Sequence, residues 1–175
     1  MSGSVFFYRI QGFDIAITDN GSAITGLFFD RERTAGLKKA AGFIKAETPL
    51  IQKAAAQIKE YFEGKRTQFK LPLAMHGTEF QLAVWQALQK IPYGETRSYK
   101  EIAAGIGRPK AVRAVGMANN RNPISIIVPC HRVIGADGKL VGYGGGLPLK
   151  QYLLELERLV VLGGQGNKGK NKRDR

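Results

Sequence analysis

Residues 98–119 read SYKEIAAGIGRPKAVRAVGMAN and have the pattern of two short helices joined by a tight turn. Ser98 and Glu101 have the spacing of a capping box, which predicts the start of the first helix. Gly107 permits a sharp turn, and Pro109 can open a second helix that runs almost to the end of the stretch. Two short helices joined by a glycine turn are typical of a helix-turn-helix.

The second predicted helix has two different faces. Its apolar face consists of Ala111, Val112, Val115 and Ala118. The opposite face carries Lys110, Arg113 and Met117. A free basic face can contact a polyanion, but the same pattern fits a solvated face on an ordinary bundle helix, so periodicity alone leaves both interpretations open.

The segment before this motif predicts a further helix and, upstream of it, a small sheet domain. Thr78 and Gln81 again have capping-box spacing, and an apolar stripe follows as far as Ile91-Pro92. Near the N-terminus, the β-rich stretches 5–10, 13–19 and 23–29 are separated by turn residues, which predicts an antiparallel meander.

A basic, polar loop follows the meander, and a helix is predicted after it. Thr48 can cap this helix, Pro49 suits its first turn, and an apolar stripe continues up to Gly64. Residues 65–74 contain Pro72 and are interpreted as a final strand and a linker. The fold class is therefore α/β, with an N-terminal α/β roll (antiparallel sheet plus helix) at 1–74 and a helical, winged-helix-like C-terminal domain at 75–162.

The segment after the helix-turn-helix delivers the sole cysteine. Residues 124–128 form a continuous apolar run, which predicts a buried extended segment leading to Cys130. The glycine-rich loop 142–146 then precedes a last helix that ends near Leu162. Residues 163–175 contain five basic side chains, one acid and no apolar side chain, so this tail is expected to be disordered.

Length and charge limit the function classes. The 175 residues can bury a core, and 27 Lys and Arg against 14 Asp and Glu give a net charge of +13. Such a charge makes nucleic acid or an anionic membrane surface the first partner to consider. No apolar run approaches a membrane span, and no export signal is recognisable, so a reducing, cytoplasmic setting is expected (the nucleus in a eukaryote).

Cys130 and His131 are the residues that can carry chemistry. A thiol with a pKa of about 8.5 needs a base or a positive field to react at neutral pH, and a histidine is adjacent. Neighbours in an extended segment point in opposite directions, so a pair would need a bend or a bridging water. On these two residues alone, a core cysteine beside a hydrogen-bonded histidine is the favoured interpretation.

The longer sequence around these residues resembles the active-site signature of the O6-alkylguanine-DNA alkyltransferases, the methylated-DNA–protein-cysteine methyltransferase family. Residues 122–134, NPISIIVPCHRVI, contain the PCHRV core in full. The similarity covers roughly residues 75–160, and the N-terminal half fits only by its pattern of strands and helix. The other matching stretches are 91–96, Ser98-Tyr99, 108–116, Gly142-Tyr143, 145–147 and Lys150.

The resemblance implies the roles of the catalytic residues. Cys130 accepts the alkyl group, and His131 deprotonates it through a water. Glu157 orients the histidine. Asn122 holds the turn between the recognition helix and the active-site segment. Tyr99 helps to turn the nucleotide outward and donates to the leaving guanine.

The resemblance also implies the binding residues. Arg113 is the finger that replaces the extruded guanine in the base stack. The further contacts to DNA are assigned to Tyr99, Lys100, Arg108, Lys110 and Met117. The guanine pocket is assigned to Val133, Tyr143, Gly144 and Lys150.

The implied function is single-turnover repair of O6-methylguanine in duplex DNA, with slower repair of O4-methylthymine and no cofactor. The partner is double-stranded DNA containing O6-alkylguanine, there is no membrane partner, and the protein is expected to be a monomer. With one cysteine and two histidines, no metal site is expected. Many members carry serine or arginine at the position of Gly144, so a wider pocket is expected here.

Two other functions remain open at this point. The first is a lesion-binding or DNA-binding helix-turn-helix protein without transfer activity. The second is a cysteine hydrolase that uses Cys130 and His131 and turns over repeatedly on an ester or amide. The presence of Cys130 separates the chain from related alkyltransferase-like proteins that carry tryptophan at that position.

Overall fold

The computed structural model describes residues 3–29, 34–37 and 42–170, with side chains as far as residue 164. Parts of the predicted basic loop (30–33 and 38–41) and the end of the predicted tail (171–175) therefore lie outside the described residues. Within the described part, no helix has both the length and the apolar character needed to cross a membrane.

The predicted antiparallel meander is confirmed. Strands β1 (Gly3–Ile10), β2 (Phe13–Asp19) and β3 (Ile24–Phe28) pair in sequence order. The first hairpin is closed by Gln11 and Gly12, both at positive φ, which is the two-residue turn whose twist matches that of the strands. This sheet forms the base on which the rest of the N-terminal half packs.

Two segments of the N-terminal half differ from the prediction. A short strand, β4 (Phe43–Lys45), pairs in parallel with β1 inside the region expected to be loop. Its three exposed residues are too few to show a period. The segment 65–74 does not form a strand of the sheet. It makes a single bridge beside β3, where Ile24 donates to Pro72 O and Ala74 donates to Ile24 O, because Pro72 has no N–H to extend a ladder.

Helix α1 (Pro49–Phe62) packs against this sheet, as predicted. Thr48 Oγ1 accepts from Ile51 N and caps the helix, and Pro49 occupies the first turn. The whole predicted apolar stripe is buried, and Gln57 and Tyr61 are buried with it. Tyr61 therefore points into the molecule from the last turn of α1.

The C-terminal half contains the predicted helix-turn-helix. Helix α2 (Glu79–Leu88) and helix α3 (Tyr99–Gly105) both begin with a complete capping box, as the sequence predicted. Strand β5 (Arg97–Ser98) precedes α3, and helix α4 (Val112–Asn120) packs against both α2 and α3.

Helix α4 starts later than predicted. Pro109 does not open it, because Ala111 N donates to Arg108 O and closes a separate turn first. As a result, the buried face of α4 differs from the apolar face that the sequence predicted. Val112 is exposed, contrary to expectation, while Val115 and Ala118 are buried as predicted, together with Asn119.

The segment before Cys130 is buried but not extended, contrary to the prediction. Ile126 has a φ of 70°, and Val128 N donates to Ile124 O, so the chain folds into a tight turn there. The branched side chain of Ile126 is held in this unusual conformation by its burial. The turn redirects the chain so that it enters the active site as a helical turn.

The remaining elements close the core around this turn. A 3₁₀ turn (Cys130–Arg132) leads into strand β6 (Val133–Ile134), which pairs in parallel with β5. Helix α5 (Leu147–Lys170) then crosses the molecule and extends past Leu162, where the ordered domain was predicted to end. Residues 161–164 are exposed, so this extension adds nothing to the core.

The two halves share one continuous cluster of buried side chains. The backbone joins them as well, because Leu27 N donates to Pro123 O and Ser125 N donates to Leu27 O. Strand β3 of the N-terminal half is thus bonded directly to the segment that leads to Cys130.

Candidate active site

Cys130, His131 and Arg132 occupy a single 3₁₀ turn, and all three are buried. A 3₁₀ helix has three residues per turn, so the three side chains point in directions about 120° apart. The bend that a Cys-His pair requires is therefore present. Each of the three side chains reaches a different set of partners.

His131 is held by Glu157, as the resemblance implied. The distance from His131 Nε2 to Glu157 Oε1 is 2.8 Å, and both side chains are completely buried. A carboxylate can only accept, so Nε2 carries the proton and Nδ1 has a free lone pair. Nδ1 is buried and has no hydrogen-bond partner within the described residues, so it can take up a proton.

The surroundings of His131 keep the imidazole neutral. Burial lowers the pKa of His131 below its ordinary value and outweighs the opposing bond and charge of Glu157. Arg132 and Lys150 lower it further. A neutral imidazole with an open Nδ1 has the state required of a general base.

Glu157 accepts more hydrogen bonds than its histidine partner accounts for. Tyr61 Oη donates to Oε1 at 2.7 Å, Arg132 donates through Nε and Nη2 at 2.9 Å, and Gly94 N donates to Oε2 at 2.9 Å. Burial acts to raise the pKa of Glu157, but His131 and Arg132 outweigh it and lower the pKa to about 2. The carboxylate is therefore ionised at any ordinary pH.

Two members of this network were not identified from the sequence. Tyr61 belongs to the apolar stripe region of α1, and nothing local marks it as different from a core aromatic. Arg132 lies inside the matched PCHRV string but had no assigned role, and it also donates to Ile91 O at 2.7 Å. The residue type of Arg132 could have indicated a role, because an arginine in a buried segment requires a buried acid as its partner.

Cys130 lies beside a small cavity of about 10 Å³, which is room for about one water. Burial raises the pKa of Tyr143 well above its usual range, and Cys130 raises it further. Of the residues that the resemblance assigned to the guanine pocket, Gly144 lines this cavity. The other lining residues are Phe28, Phe29, Asn119, Asn120, Asn122, Ser125 and Gly145.

Asn122, which the resemblance assigned to the turn before Cys130, forms hydrogen bonds to two residues of that turn. Its Nδ2 donates to Val128 O at 2.7 Å, and its Oδ1 accepts from Ile124 N at 3.0 Å. A second amide, Asn119 in the last turn of α4, donates to Cys130 O at 3.2 Å and was not predicted. Helix α4 is therefore bonded to the backbone of Cys130.

Three of the predicted pocket and flipping residues are linked by hydrogen bonds to two carbonyl oxygens. Lys150 Nζ donates to Val133 O at 2.5 Å and to Val141 O at 3.1 Å, and Tyr99 Oη donates to the same Val141 O at 2.8 Å. Lys150 is fully buried, and burial lowers its pKa to about 8, against the opposing effect of Cys130. The predicted site residues Tyr99, Val133 and Lys150 thus form one wall next to Cys130.

The predicted DNA-contacting side chains share an exposed surface on the helix-turn-helix. Arg113 and Met117 lie on the outer side of α4, and neither is covered by another element. None of the cations on this surface forms a salt bridge with an acid in the described part of the chain. The exposed cations are Lys100, Arg108, Lys110 and Arg113.

No group of three or more potential metal ligands occurs among residues 3–29, 34–37 and 42–164. His76 is exposed, and His131 uses Nε2 to bond Glu157.

The chain matches two protein-family profiles. Residues 13–75 match the one described as "6-O-methylguanine DNA methyltransferase, ribonuclease-like domain". Residues 79–159 match the one described as "6-O-methylguanine DNA methyltransferase, DNA binding domain".

Similar proteins and structures agree with these profiles. A methylated-DNA–protein-cysteine methyltransferase of Methanosarcina barkeri is 64% identical over 61% of this chain and 68% of its own. The constitutive enzyme of that name from Bacillus subtilis is 49% identical over 83% of this chain and 90% of its own. The crystal structure of Mycobacterium tuberculosis OGT in complex with DNA is 46% identical, covers 90% of this chain and 94% of its own, and has a TM-score of 0.80.

Proposed function

This chain belongs to the methylated-DNA–protein-cysteine methyltransferases and repairs alkylated DNA by alkyl transfer, and from that premise we propose that Cys130 is the acceptor of the alkyl group. The observation that carries the proposal is the buried Cys130–His131–Glu157 arrangement, in which His131 Nδ1 is open and Nε2 is bonded to an ionised carboxylate. Lesion binding alone requires no such base.

The reaction follows from this geometry. The thiol proton passes through a water to His131 Nδ1, and the sulfur attacks the alkyl carbon on O6 of guanine. The C–S bond forms as the C–O6 bond breaks, and the electron pair stays on the guanine. Tyr99 donates its hydroxyl proton to the leaving base, and the proton that His131 took from the thiol returns through water to Tyr99. Guanine therefore departs neutral, and both side chains end neutral. The thioether is not hydrolysed, so each chain acts once and needs no cofactor.

We also propose how the base reaches Cys130. The nucleophile is buried and its cavity is small, so a paired guanine cannot reach it without leaving the stack. Arg113 is exposed on α4 and forms no salt bridge, and its planar guanidinium can fill the vacated space. Lys100, Arg108, Lys110 and Met117 contact the groove and backbone, and O4-methylthymine is repaired more slowly.

The location follows from the substrate. Since the lesion lies in chromosomal DNA, we infer the cytoplasm of a prokaryote, or the nucleus of a eukaryote, as the place of action.

The test is intact-mass spectrometry after incubation with duplex DNA containing O6-methylguanine. The expected result is a gain of one CH₂ per chain that maps to Cys130, and no gain for Cys130→Ala, which still binds the duplex. No transfer by the wild-type protein would favour a lesion-binding protein. Repeated turnover of an ester or amide would favour a cysteine hydrolase.

A further inference from the structure

Tyr61 connects the N-terminal half to the base of the active site. It lies in the last turn of α1, 96 residues before Glu157 in sequence, and its side chain is completely buried. Its ring packs among Phe62, Phe69, Tyr93 and His131 at centroid distances of 5.6–6.5 Å. Packing alone would be served equally well by phenylalanine, so the hydroxyl needs a separate explanation.

The hydroxyl bonds the same carboxylate oxygen as the histidine. Tyr61 Oη donates to Glu157 Oε1 at 2.7 Å, and His131 Nε2 donates to that oxygen at 2.8 Å. Oη and Nε2 are 3.4 Å apart, beyond the usual range of an N–H···O hydrogen bond. Tyr61 therefore acts on His131 mainly through the charge and position of Oε1.

We propose that Tyr61 is a positioning residue that sets the proton affinity of His131 by sharing the Glu157 oxygen to which His131 donates. The inference rests on the proposed alkyl transfer to Cys130. It assigns to the N-terminal half a direct effect on the chemical step, exerted through one hydroxyl.

The direction of the expected change in the pKa of His131 follows from the shared use of Glu157 Oε1. A hydroxyl donor draws negative charge from Oε1, which leaves less charge to stabilise a protonated His131. Removing the donor should raise the pKa of His131. Loss of the 3.4 Å contact between Oη and Nε2 would act in the opposite sense, but that contact is weaker than the 2.7 Å bond.

Other ionisable groups face this network from the elements that pack around it. Arg132 also donates to Oε1, at 2.9 Å through Nη2, and lowers the pKa of His131. Lys150 on α5 acts in the same sense. The remaining groups are Cys130 in the 3₁₀ turn, Tyr143 in the glycine-rich loop and Tyr93 after α2. The variants below leave all of them except Tyr93 in place.

Tyr93 offers a matched control. Its ring lies 6.0 Å from that of Tyr61, and its hydroxyl is buried in the same region. In the described part of the chain that hydroxyl makes no hydrogen bond. Tyr61→Phe and Tyr93→Phe therefore remove the same atom from the same neighbourhood, but only the first removes a donor to Glu157.

The experiment measures His131 directly. The chain has two histidines, so histidine-labelled protein gives two sets of imidazole NMR signals, and the exposed His76 serves as an internal reference. The midpoint of the His131 titration is compared among wild type, Tyr61→Phe and Tyr93→Phe. Single-turnover transfer from methylated duplex is followed over the same pH range.

Tyr61→Phe is expected to raise the midpoint of the His131 titration by about half a pH unit. On the acidic side of the pH–rate profile, transfer should then be about threefold slower, because less of His131 is in the neutral, basic form. Tyr93→Phe and the His76 signal should stay at the wild-type values. An unchanged or lowered His131 midpoint in Tyr61→Phe would overturn the inference, whatever happens to the maximal rate. If wild-type protein transfers nothing, the proposed function fails instead, and the two failures are distinguishable.

Discussion

The side-chain amide of Asn119, in the last turn of the recognition helix, donates to the carbonyl oxygen of Cys130 at 3.2 Å. The helix that carries Arg113 and the proposed alkyl acceptor, Cys130, are thus joined by one buried hydrogen bond. Asn122 adds a second clamp on the turn before Cys130. The two amides together hold the backbone on both sides of Pro129.

Replacement of Asn119 by alanine should destabilise the protein moderately. The Cys130 carbonyl keeps its bond from Val133 N, so the loss is that of one buried hydrogen bond, about 1–2 kcal/mol in the free energy of unfolding. Urea denaturation measures this loss in the free energy of unfolding. Arg121→Ala, at an exposed position just after α4, is the control and should change stability by no more than about 0.5 kcal/mol. Equal effects of the two substitutions would show that the Asn119 bond contributes nothing.

Arg113→Ala should impair transfer from duplex DNA but spare transfer from a free base. Extrusion of a base costs a few kcal/mol, and a side chain that fills the gap recovers part of that cost. We expect a loss of about 10- to 1000-fold on duplex, equivalent to about 1.4 to 4 kcal/mol, and little change with free O6-alkylguanine. The measurement is the ratio of the single-turnover rate on duplex to that on free base, compared between wild type and Arg113→Ala.

The control for Arg113 is Arg9→Ala, which removes the same charge from an exposed site on the N-terminal sheet. It should leave the ratio of the two rates at the wild-type value. Equal losses on duplex and free base in Arg113→Ala would assign Arg113 to the pocket rather than to base flipping.

Stability should rise with pH above neutrality because of Lys150. The pKa of Lys150 is about 8 in the folded protein and near its ordinary 10.5 when unfolded, so between these values the unfolded chain binds more protons. The free energy of unfolding therefore increases with pH, by up to about 2 kcal/mol from pH 7 to 9.5. Well below pH 8, Lys150 is protonated in both the folded and the unfolded protein, so the cost of burying its ammonium group is fully present.

Urea denaturation at pH 7 and pH 9.5 tests this, with Lys150→Met as the comparison, because methionine keeps the length without the charge. The increase with pH should be smaller in Lys150→Met than in wild type. An equal increase in both proteins would mean that other groups cause it.

Binding to undamaged duplex should weaken steeply with salt. Each neutralised phosphate contributes about −0.9 to the slope of log K against log salt, and residues 163–175 supply five of the basic side chains. Replacement of those five by serine should flatten the slope while transfer in saturated complexes keeps its rate. A slower rate at saturation would place the C-terminal segment in the site itself.

The local signals in the sequence predicted the parts of the fold that depend on local chemistry. The turn pair Gln11-Gly12 and the capping boxes at Thr78 and Ser98 act within a few residues, and each has the expected structure. The roles assigned to His131 and Glu157 came from the family resemblance, and the structure places these two side chains together.

The features that were missed depend on distant partners. Tyr61 is a core aromatic by its local pattern, and only the position of Glu157, far along the chain, makes its hydroxyl part of the network. The turn at Ile126 is likewise imposed by contacts with β3 and Asn122, since four of the five residues 124–128 are apolar and none is glycine, proline or asparagine. Tertiary contacts overrode local preference at both places.

Since Cys130, His131 and Arg132 follow one another in a 3₁₀ turn, the chemistry depends on chain length as well as on residue type. Insertion of one residue after Cys130 would rotate the following side chains by about a third of a turn and withdraw His131 from Glu157. A substitution at one of the three positions leaves the directions of the other two intact. In a gene for this protein, an in-frame three-nucleotide insertion after the Cys130 codon would displace His131 and Arg132 together, whereas a point change in this turn would alter one side chain and leave the other two in place.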